Sequence, residues 1–257
     1  MKVVILAGGL GTRISEESHL RPKPMVEIGG LPILWHIMKI YSHYGFHEFV
    51  ICAGYRQWLI KEFFADYALR TSDVTFDFSN GGDLRVHGST SEPWKVTVVD
   101  TGRNTMTGGR VKRVRPFVGD EAFMLTYGDG VADVDVPALL AFHRSHGKMV
   151  TLTGVNVTQR FGVLDVLQGG EIASFREKHD SDKGVINGGF MVMEPEIFTV
   201  IKGDAEVLEE GALETLARQG ELMAYRHPGF WECMDTQRDR SHLEALWESG
   251  EAPWKLW

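Results

Sequence analysis

At 257 residues the chain is long enough to bury a substantial core without disulfide or metal support. Its 27 basic side chains stand against 35 acidic ones, a net charge of -8, which argues against a nucleic-acid backbone binder or a polybasic membrane-surface protein. The two cysteines, Cys52 and Cys233, make neither a disulfide framework nor a zinc pattern, the N-terminus has no signal-peptide layout, and no apolar run approaches ~18 residues, so a cytoplasmic protein is expected.

In chain order, Val3 to Ala7 is β-branched and apolar on both faces, the pattern of a buried parallel strand. It runs into Gly8-Gly-Leu-Gly-Thr-Arg13. The spacing of Ile33, Ile37, Ile40, Tyr41 and Tyr44 predicts a helix over 32–45, stopped by Gly45. A second buried strand is expected over 48–52 and a second helix over 57–67, with Leu59, Ile60, Phe63 and Phe64 on one side. This order predicts the α/β class, a parallel sheet with helices on both faces. Between 72 and 115 the pattern changes: 74–78, 84–87 and 95–99 are β-rich and separated by glycine turns, which predicts an antiparallel excursion. The α/β pattern returns with a strand over 122–126, Tyr127-Gly-Asp129-Gly, a helix over 136–146 and a strand over 149–157. Short β segments over 165–175 and 188–193, then helices over 208–219 and 236–247, complete the reading. No repeat or linker interrupts it, so one domain over 1–257 is expected.

The glycine loop is the sharpest chemical feature, because glycines let backbone N–H groups approach phosphate oxygens. Its spacing fits neither a Walker loop, since Gly-Thr-Arg replaces Gly-Lys-Ser/Thr, nor a dinucleotide fingerprint, since Ile14 stands where glycine or alanine is required. Lys23 follows ten residues after Arg13, between Pro22 and Pro24, which are expected to hold extended backbone around a cation poised over an anion. Asp129 follows a buried strand, at the rim where open α/β sheets bind ligands, although Asp-Gly also serves ordinary turns. Asp235 precedes a helix and is equally placed to cap it.

Leu6-Ala-Gly-Gly-Leu-Gly-Thr-Arg13 with Lys23-Pro-Met25 resembles the sugar-1-phosphate nucleotidyltransferases. Residues 26–30, 32–38, Thr101-Gly with Thr107-Gly-Gly-Arg110, Phe161-Gly162, Ile186-Asn-Gly-Gly189, His227-Pro-Gly-Phe-Trp231 and the tail 252–257 resemble the branch of that family that acts on CTP and glucose 1-phosphate. The resemblance covers essentially the whole chain. It implies a three-layer α/β sandwich with a mostly parallel mixed sheet, Rossmann-like, and a small antiparallel insertion about 72–115. The implied reaction is CTP plus α-D-glucose 1-phosphate giving CDP-glucose and pyrophosphate, in the synthesis of CDP-linked dideoxyhexoses for O-antigen-type lipopolysaccharide.

The same resemblance implies the site. The nucleotide falls to Leu6, Ala7, Gly8, Gly9, Leu10, Gly11, Thr12, Arg13, Lys23, Thr105, Arg110 and Gly128, with Arg13 on the β- and γ-phosphates and Lys23 on the α-phosphate. Thr105 and Arg110 lie in the β-rich excursion, where contacts across a subunit boundary are contemplated. Tyr127, Glu177, Lys178 and Asn187 fall to the sugar phosphate, and Asp129 and Asp235 to one Mg²⁺. Arg13, Lys23 and Asp129 are the implied catalytic residues. His179 departs from the family's usual proline after the Glu-Lys pair. A homo-oligomer, a hexamer in the family, is also implied, with no nucleic acid or membrane partner.

Two other readings share part of this pattern. A uridylyl-, thymidylyl- or guanylyltransferase shares the loop and both aspartates. A non-catalytic sugar-nucleotide sensor would have lost Lys23 or an aspartate, and this chain keeps them all. With no hexapeptide repeat in the sequence, fusion to a β-helix acyltransferase is not expected.

Overall fold

The computed structural model describes residues 1–9, 21–79, 82–156, 163–166, 172–176 and 185–257. Leu10, Gly11, Thr12, Arg13, Glu177 and Lys178 lie outside the described residues.

The main sheet grows outward from β1 (Val3–Ala7), every residue of which is buried. β1 pairs in parallel with β2 (Glu48–Ala53) on one side and β4 (Phe123–Tyr127) on the other, and β2 pairs in parallel with β3 (Lys95–Asp100). Beyond β4 the direction reverses. β6 (Val185–Asn187) and β7 (Met191–Met193) form one interrupted antiparallel rung, with β7 on β4 and both on β5 (Val150–Asn156). β8 (Leu222–His227) is parallel to β5 and lies outside it. The break at 188–190 carries two positive φ angles, Gly189 at 76° and Phe190 at 44°, which turn the chain out of regular pairing beside the cleft.

Apolar residues on both faces of β1 suit a strand covered twice. Val3, Ile5 and Ala7 join one core with α1 (Ile33–His43), α4 (Val136–His146) and α5 (Gln237–Glu248). Val4 and Leu6 join a second core with α3 (Thr107–Arg113) and residues 208–216. Two-residue alternation across one strand therefore builds both outer layers. The sheet is mixed and mostly parallel, as expected. Among the described residues no helix is long and apolar enough to cross a membrane.

The excursion expected over 72–115 divides in the structure. Ser72–Asp77 and Asp83–Ser89 form an antiparallel hairpin apart from the main sheet, Lys95–Asp100 is β3, and 107–113 is helical. Thr-Gly-Gly has poor helix propensity, so the start of α3 reads as a turn. Tertiary packing overrides that propensity: a Cβ on Gly109 would lie 2.5 Å from Cα of Asp204 and 2.6 Å from its carbonyl oxygen. The extended backbone expected around Lys23 is also corrected. Pro22 is extended, but Lys23–Met25 forms one 3₁₀ turn, in which Pro24 sits where its missing N–H has no bond to lose. The sequence reading missed β8. Leu-Met-Ala-Tyr-Arg-His has no β-branched residue, and it is held mainly by pairing along one side of β5.

Candidate active site

Because β1, β2, β3 and β4 are parallel, the chain leaves all four at one edge of the sheet, and the segments after them meet there. They enclose a cleft of about 480 Å³ lined by Leu6, Ala7, Gly8, Gly9, Lys23, Pro24, Thr105, Met106, Thr107, Arg110, Tyr127, Gly128, Asp129 and Asp235.

One wall is built on Arg110. It is 4% exposed and has no carboxylate partner among the described residues. Its Nη1 donates to Thr101 Oγ1 and to the Gly102 carbonyl, each at 2.7 Å, and its Nη2 donates to the Arg103 carbonyl at 3.4 Å. Burial lowers its pKa, yet a guanidinium stays charged at any physiological pH. A Cβ on Gly8 would come within 2.1 Å of its Nη1, so the glycine lets a buried positive charge lie directly beneath the first loop.

The opposite side holds a cation between two carboxylates. Lys23 Nζ lies 2.6 Å from Asp129 Oδ2 and 2.5 Å from Asp235 Oδ1. Residues more than a hundred positions apart meet because Gly130–Ala132 pairs antiparallel with Trp231–Cys233, a two-stranded clasp just beyond both aspartates, and Met234 N–H donates to the Asp129 carbonyl. The cap of α5 is Thr236, whose hydroxyl accepts from Asp239 N–H in a reciprocal capping box. The N-cap position is therefore filled by Thr236, and Asp235 Oδ1 accepts from Lys23. Burial opposes the lysine charge, but the Asp129 carboxylate and its hydrogen bonds outweigh it, and the Lys23 pKa is raised. Cys233 completes a group with the two aspartates whose ligand atoms all lie within 4.8 Å of one another. Burial, and next to it the Asp129 carboxylate, pushes that thiol up, so it stays protonated.

A third group lies toward the break in β6 and β7. Asn187 Nδ2 donates to Tyr127 Oη at 3.1 Å, and Asn187 Oδ1 accepts from Gly189 N–H at 3.0 Å. Tyr127 Oη in turn donates to Glu209, and burial followed by that carboxylate raises the phenol pKa.

The nucleotidyl transferase family model matches residues 2–232. The chain belongs to that family. Glucose-1-phosphate cytidylyltransferase of Salmonella typhi is 57% identical over the full length of both proteins. A probable glucose-1-phosphate cytidylyltransferase of Bacillus subtilis is 43% identical, again over both full lengths. Among solved structures, HddC from Yersinia pseudotuberculosis superposes with a TM-score of 0.68 over 96% of this chain and 99% of that one, at 24% identity, and supports the fold.

For a nucleotidyl transferase the placement is coherent. Of the residues expected at the site, Leu6, Ala7, Gly8, Gly9, Lys23, Thr105, Arg110, Tyr127, Gly128, Asp129 and Asp235 line the one cleft. Asn187 reaches it through Tyr127. Thr105 and Arg110 line the same cleft as Gly8 and Gly9, just before and on α3 respectively and not in a β excursion. Three residues were missed. Met106 and Thr107 line the cleft because α3 starts there, and Glu209 binds Tyr127 from a single π turn, Glu209–Leu213. Thr107-Gly-Gly-Arg110 was available as a signal for the first two, whereas Glu209-Glu210 reads as an ordinary acidic helix start.

Proposed function

We propose that the protein transfers the cytidylyl group of CTP to α-D-glucose 1-phosphate, releasing pyrophosphate and forming CDP-glucose. The observation that carries this reading is the 57% identity, across both full lengths, to a glucose-1-phosphate cytidylyltransferase. A phosphate oxygen of the sugar phosphate attacks the α-phosphorus of CTP, the new P–O bond forms, and the bond to the β-phosphate breaks as pyrophosphate departs. The attacking oxygen is already anionic, so no protein nucleophile is needed. The task of the chain is to align two polyanions and neutralise the transferring phosphoryl group.

In this reading the backbones of Leu6, Ala7, Gly8, Gly9 and Gly128 and the side chains of Thr105 and Arg110 form the nucleotide wall. The buried guanidinium, without a carboxylate partner among the described residues, supports an anionic or carbonyl-rich ligand there. Leu10, Gly11, Thr12 and Arg13 complete the loop, with Arg13 on the leaving pyrophosphate. Lys23 serves the α-phosphate, and Tyr127, Asn187, Glu177 and Lys178 serve the sugar phosphate. Asp129 and Asp235 fit Mg²⁺, since they already hold one cation between them and their hard oxygens suit that ion. Bound there, Mg²⁺ would supply positive charge that screens the substrate phosphates.

The exposed apolar side chains of the hairpin at 72–89 support a homo-oligomer, a hexamer by resemblance. The free thiols of Cys52 and Cys233 fit a cytoplasmic setting, and synthesis of CDP-linked sugars for surface polysaccharide is the proposed destination of the product.

The test is pyrophosphate release with Mg²⁺ and glucose 1-phosphate, with CTP, UTP, dTTP, GTP and ATP compared at equal concentration. CTP is expected to exceed each of the others at least tenfold in kcat/KM. Preference for a different base would keep the transfer reaction and overturn the assignment to CTP.

A further inference from the structure

Glu209 is not itself among the residues that line the cleft, yet it bonds to two that are, Tyr127 and Thr107, and so joins two sides of the site. One carboxylate oxygen accepts from Tyr127 Oη, and the other accepts from Thr107 Oγ1 at 2.8 Å. Thr107 Oγ1 is itself fixed, accepting from Leu208 N–H at 2.8 Å. The segment before Glu209 also grips the start of α3: Met106 N–H donates to the Asp204 carbonyl, and the N–H groups of Gly108 and Gly109 donate to the Glu206 carbonyl. Neither Lys nor Arg pairs with Glu209 among the described residues. An anion held by two hydroxyls in a partly buried place is an unusual expenditure of charge unless its direction matters.

That direction is set by chemistry. A carboxylate only accepts, so Tyr127 must donate to it, and the phenol oxygen is left as an acceptor. Asn187 fills that acceptor with one Nδ2 hydrogen, while its Oδ1 is committed to Gly189 N–H. The chain of bonds therefore runs one way, from the Asn187 amide through the Tyr127 phenol to Glu209. It fixes which face of the Asn187 amide carries the remaining N–H donor. It also anchors the tyrosine ring against a segment packed on α3.

We propose that Glu209 is a positioning residue for the sugar phosphate: it orients Tyr127, and through Tyr127 the donor face of Asn187. The proposal rests on the reading of Tyr127 and Asn187 as the sugar side of a glucose-1-phosphate cytidylyltransferase. It adds a residue that the sequence motifs do not reach. Thr107, itself held by the Leu208 N–H, fixes the other carboxylate oxygen, and the bond from Tyr127 carries the effect toward the sugar side.

Glu209→Gln keeps the size but puts an NH2 donor in place of one of the two acceptor oxygens that the Tyr127 and Thr107 hydroxyls use, so the direction of the chain is no longer enforced, and Tyr127→Phe removes the hydroxyl alone. Both variants and the double variant are to be assayed for pyrophosphate release with each substrate varied, alongside thermal melting. Glu209→Gln is expected to lower kcat/KM for glucose 1-phosphate about tenfold, with KM for CTP changed less than twofold and the melting temperature within about 2 °C. The double variant is expected to lose no more than the worse single variant, because the two residues act through one bond. A wild-type kcat/KM for glucose 1-phosphate in Glu209→Gln would overturn the proposal. So would a parallel rise in both KM values with a lowered melting temperature, or losses that multiply in the double variant. If the unmodified enzyme releases no pyrophosphate from any nucleotide, the reading of function fails and this proposal with it. Turnover by the unmodified enzyme with an unaffected Glu209→Gln removes Glu209 alone.

Discussion

At the scale of single residues, Lys23 and the two aspartates are the most informative contact. An ammonium 2.6 and 2.5 Å from the two carboxylates occupies the position where a divalent cation would be held. In the proposed reading, lysine and metal compete for one pair of anions until a nucleotide phosphate offers the lysine another partner. Lys23→Met, which keeps the stem and removes the charge, is expected to bind Mn²⁺ about tenfold more tightly than the unmodified protein when no nucleotide is present. That factor matches the loss of one charge-assisted hydrogen bond of ~1.5 kcal/mol or more. Turnover by the same variant is expected to fall at least a hundredfold. Mn²⁺ titration followed by electron paramagnetic resonance reads the first effect directly, and equal affinities would mean that the ion binds elsewhere. That Lys23, Asp129 and Asp235 belong together was legible only through the family resemblance, since Asp129-Gly130 alone reads as a turn and Asp235 alone as a helix cap. The alternative of Asp235 as a helix cap is removed by Thr236, which does that work with Asp239. Glu209 was not legible, because its role depends on a hydroxyl 82 positions away.

At the scale of elements, the hairpin of Ser72–Asp77 and Asp83–Ser89 shows where sequence pattern stops. The period-two alternation of Val74, Phe76 and Phe78 with Thr75 and Asp77 marks a strand with one apolar face. It does not say what covers that face. In the structure Phe76 is 54% and Phe78 83% exposed, their rings stack at 6.3 Å, and Leu84, paired opposite Phe76, is exposed beside them. An apolar ribbon of this kind on the surface favours burial against another copy of the chain, as the proposed homo-oligomer requires. The double variant Phe76→Ser, Phe78→Ser is expected to sediment as a smaller species at micromolar concentration, with a subunit melting temperature little changed because neither ring is buried within the subunit. An unchanged sedimentation coefficient would free the hairpin from any part in assembly. Helix α3 makes the complementary point. Its two glycines weaken it locally, and only the close approach of residues 204–206 makes the helix intelligible.

At the scale of the whole molecule, the two ends of the chain are joined through His36. The aromatic tail reads as packing or a subunit contact, and the structure shows packing: Trp254 is fully buried among Phe230, Trp247 and His36 of α1. His36 is buried too, with Nε2 2.8 Å from the Ile28 carbonyl and Nδ1 3.4 Å from Trp254 Nε1. A neutral ring satisfies both contacts, with Nε2–H donating to Ile28 and Nδ1 accepting from the tryptophan. A protonated ring would set two N–H groups against each other. Burial accordingly lowers the His36 pKa from 6.5 to about 4. Between those values the unfolded chain carries a proton on this residue that the folded chain does not, so stability falls as pH drops from about 6.5 toward 4. The loss attributable to His36 is bounded at ~3 kcal/mol, at 1.36 kcal/mol per pKa unit. Urea unfolding at pH 7 and pH 5 is expected to show a lower midpoint at the lower pH. His36→Gln, which keeps a donor for Ile28 and does not titrate, is expected to start less stable at pH 7 and to lose less between the two pH values. An equal loss in the variant would assign the acid sensitivity to other groups and leave the N-terminal helix and the C-terminal tail coupled by packing alone.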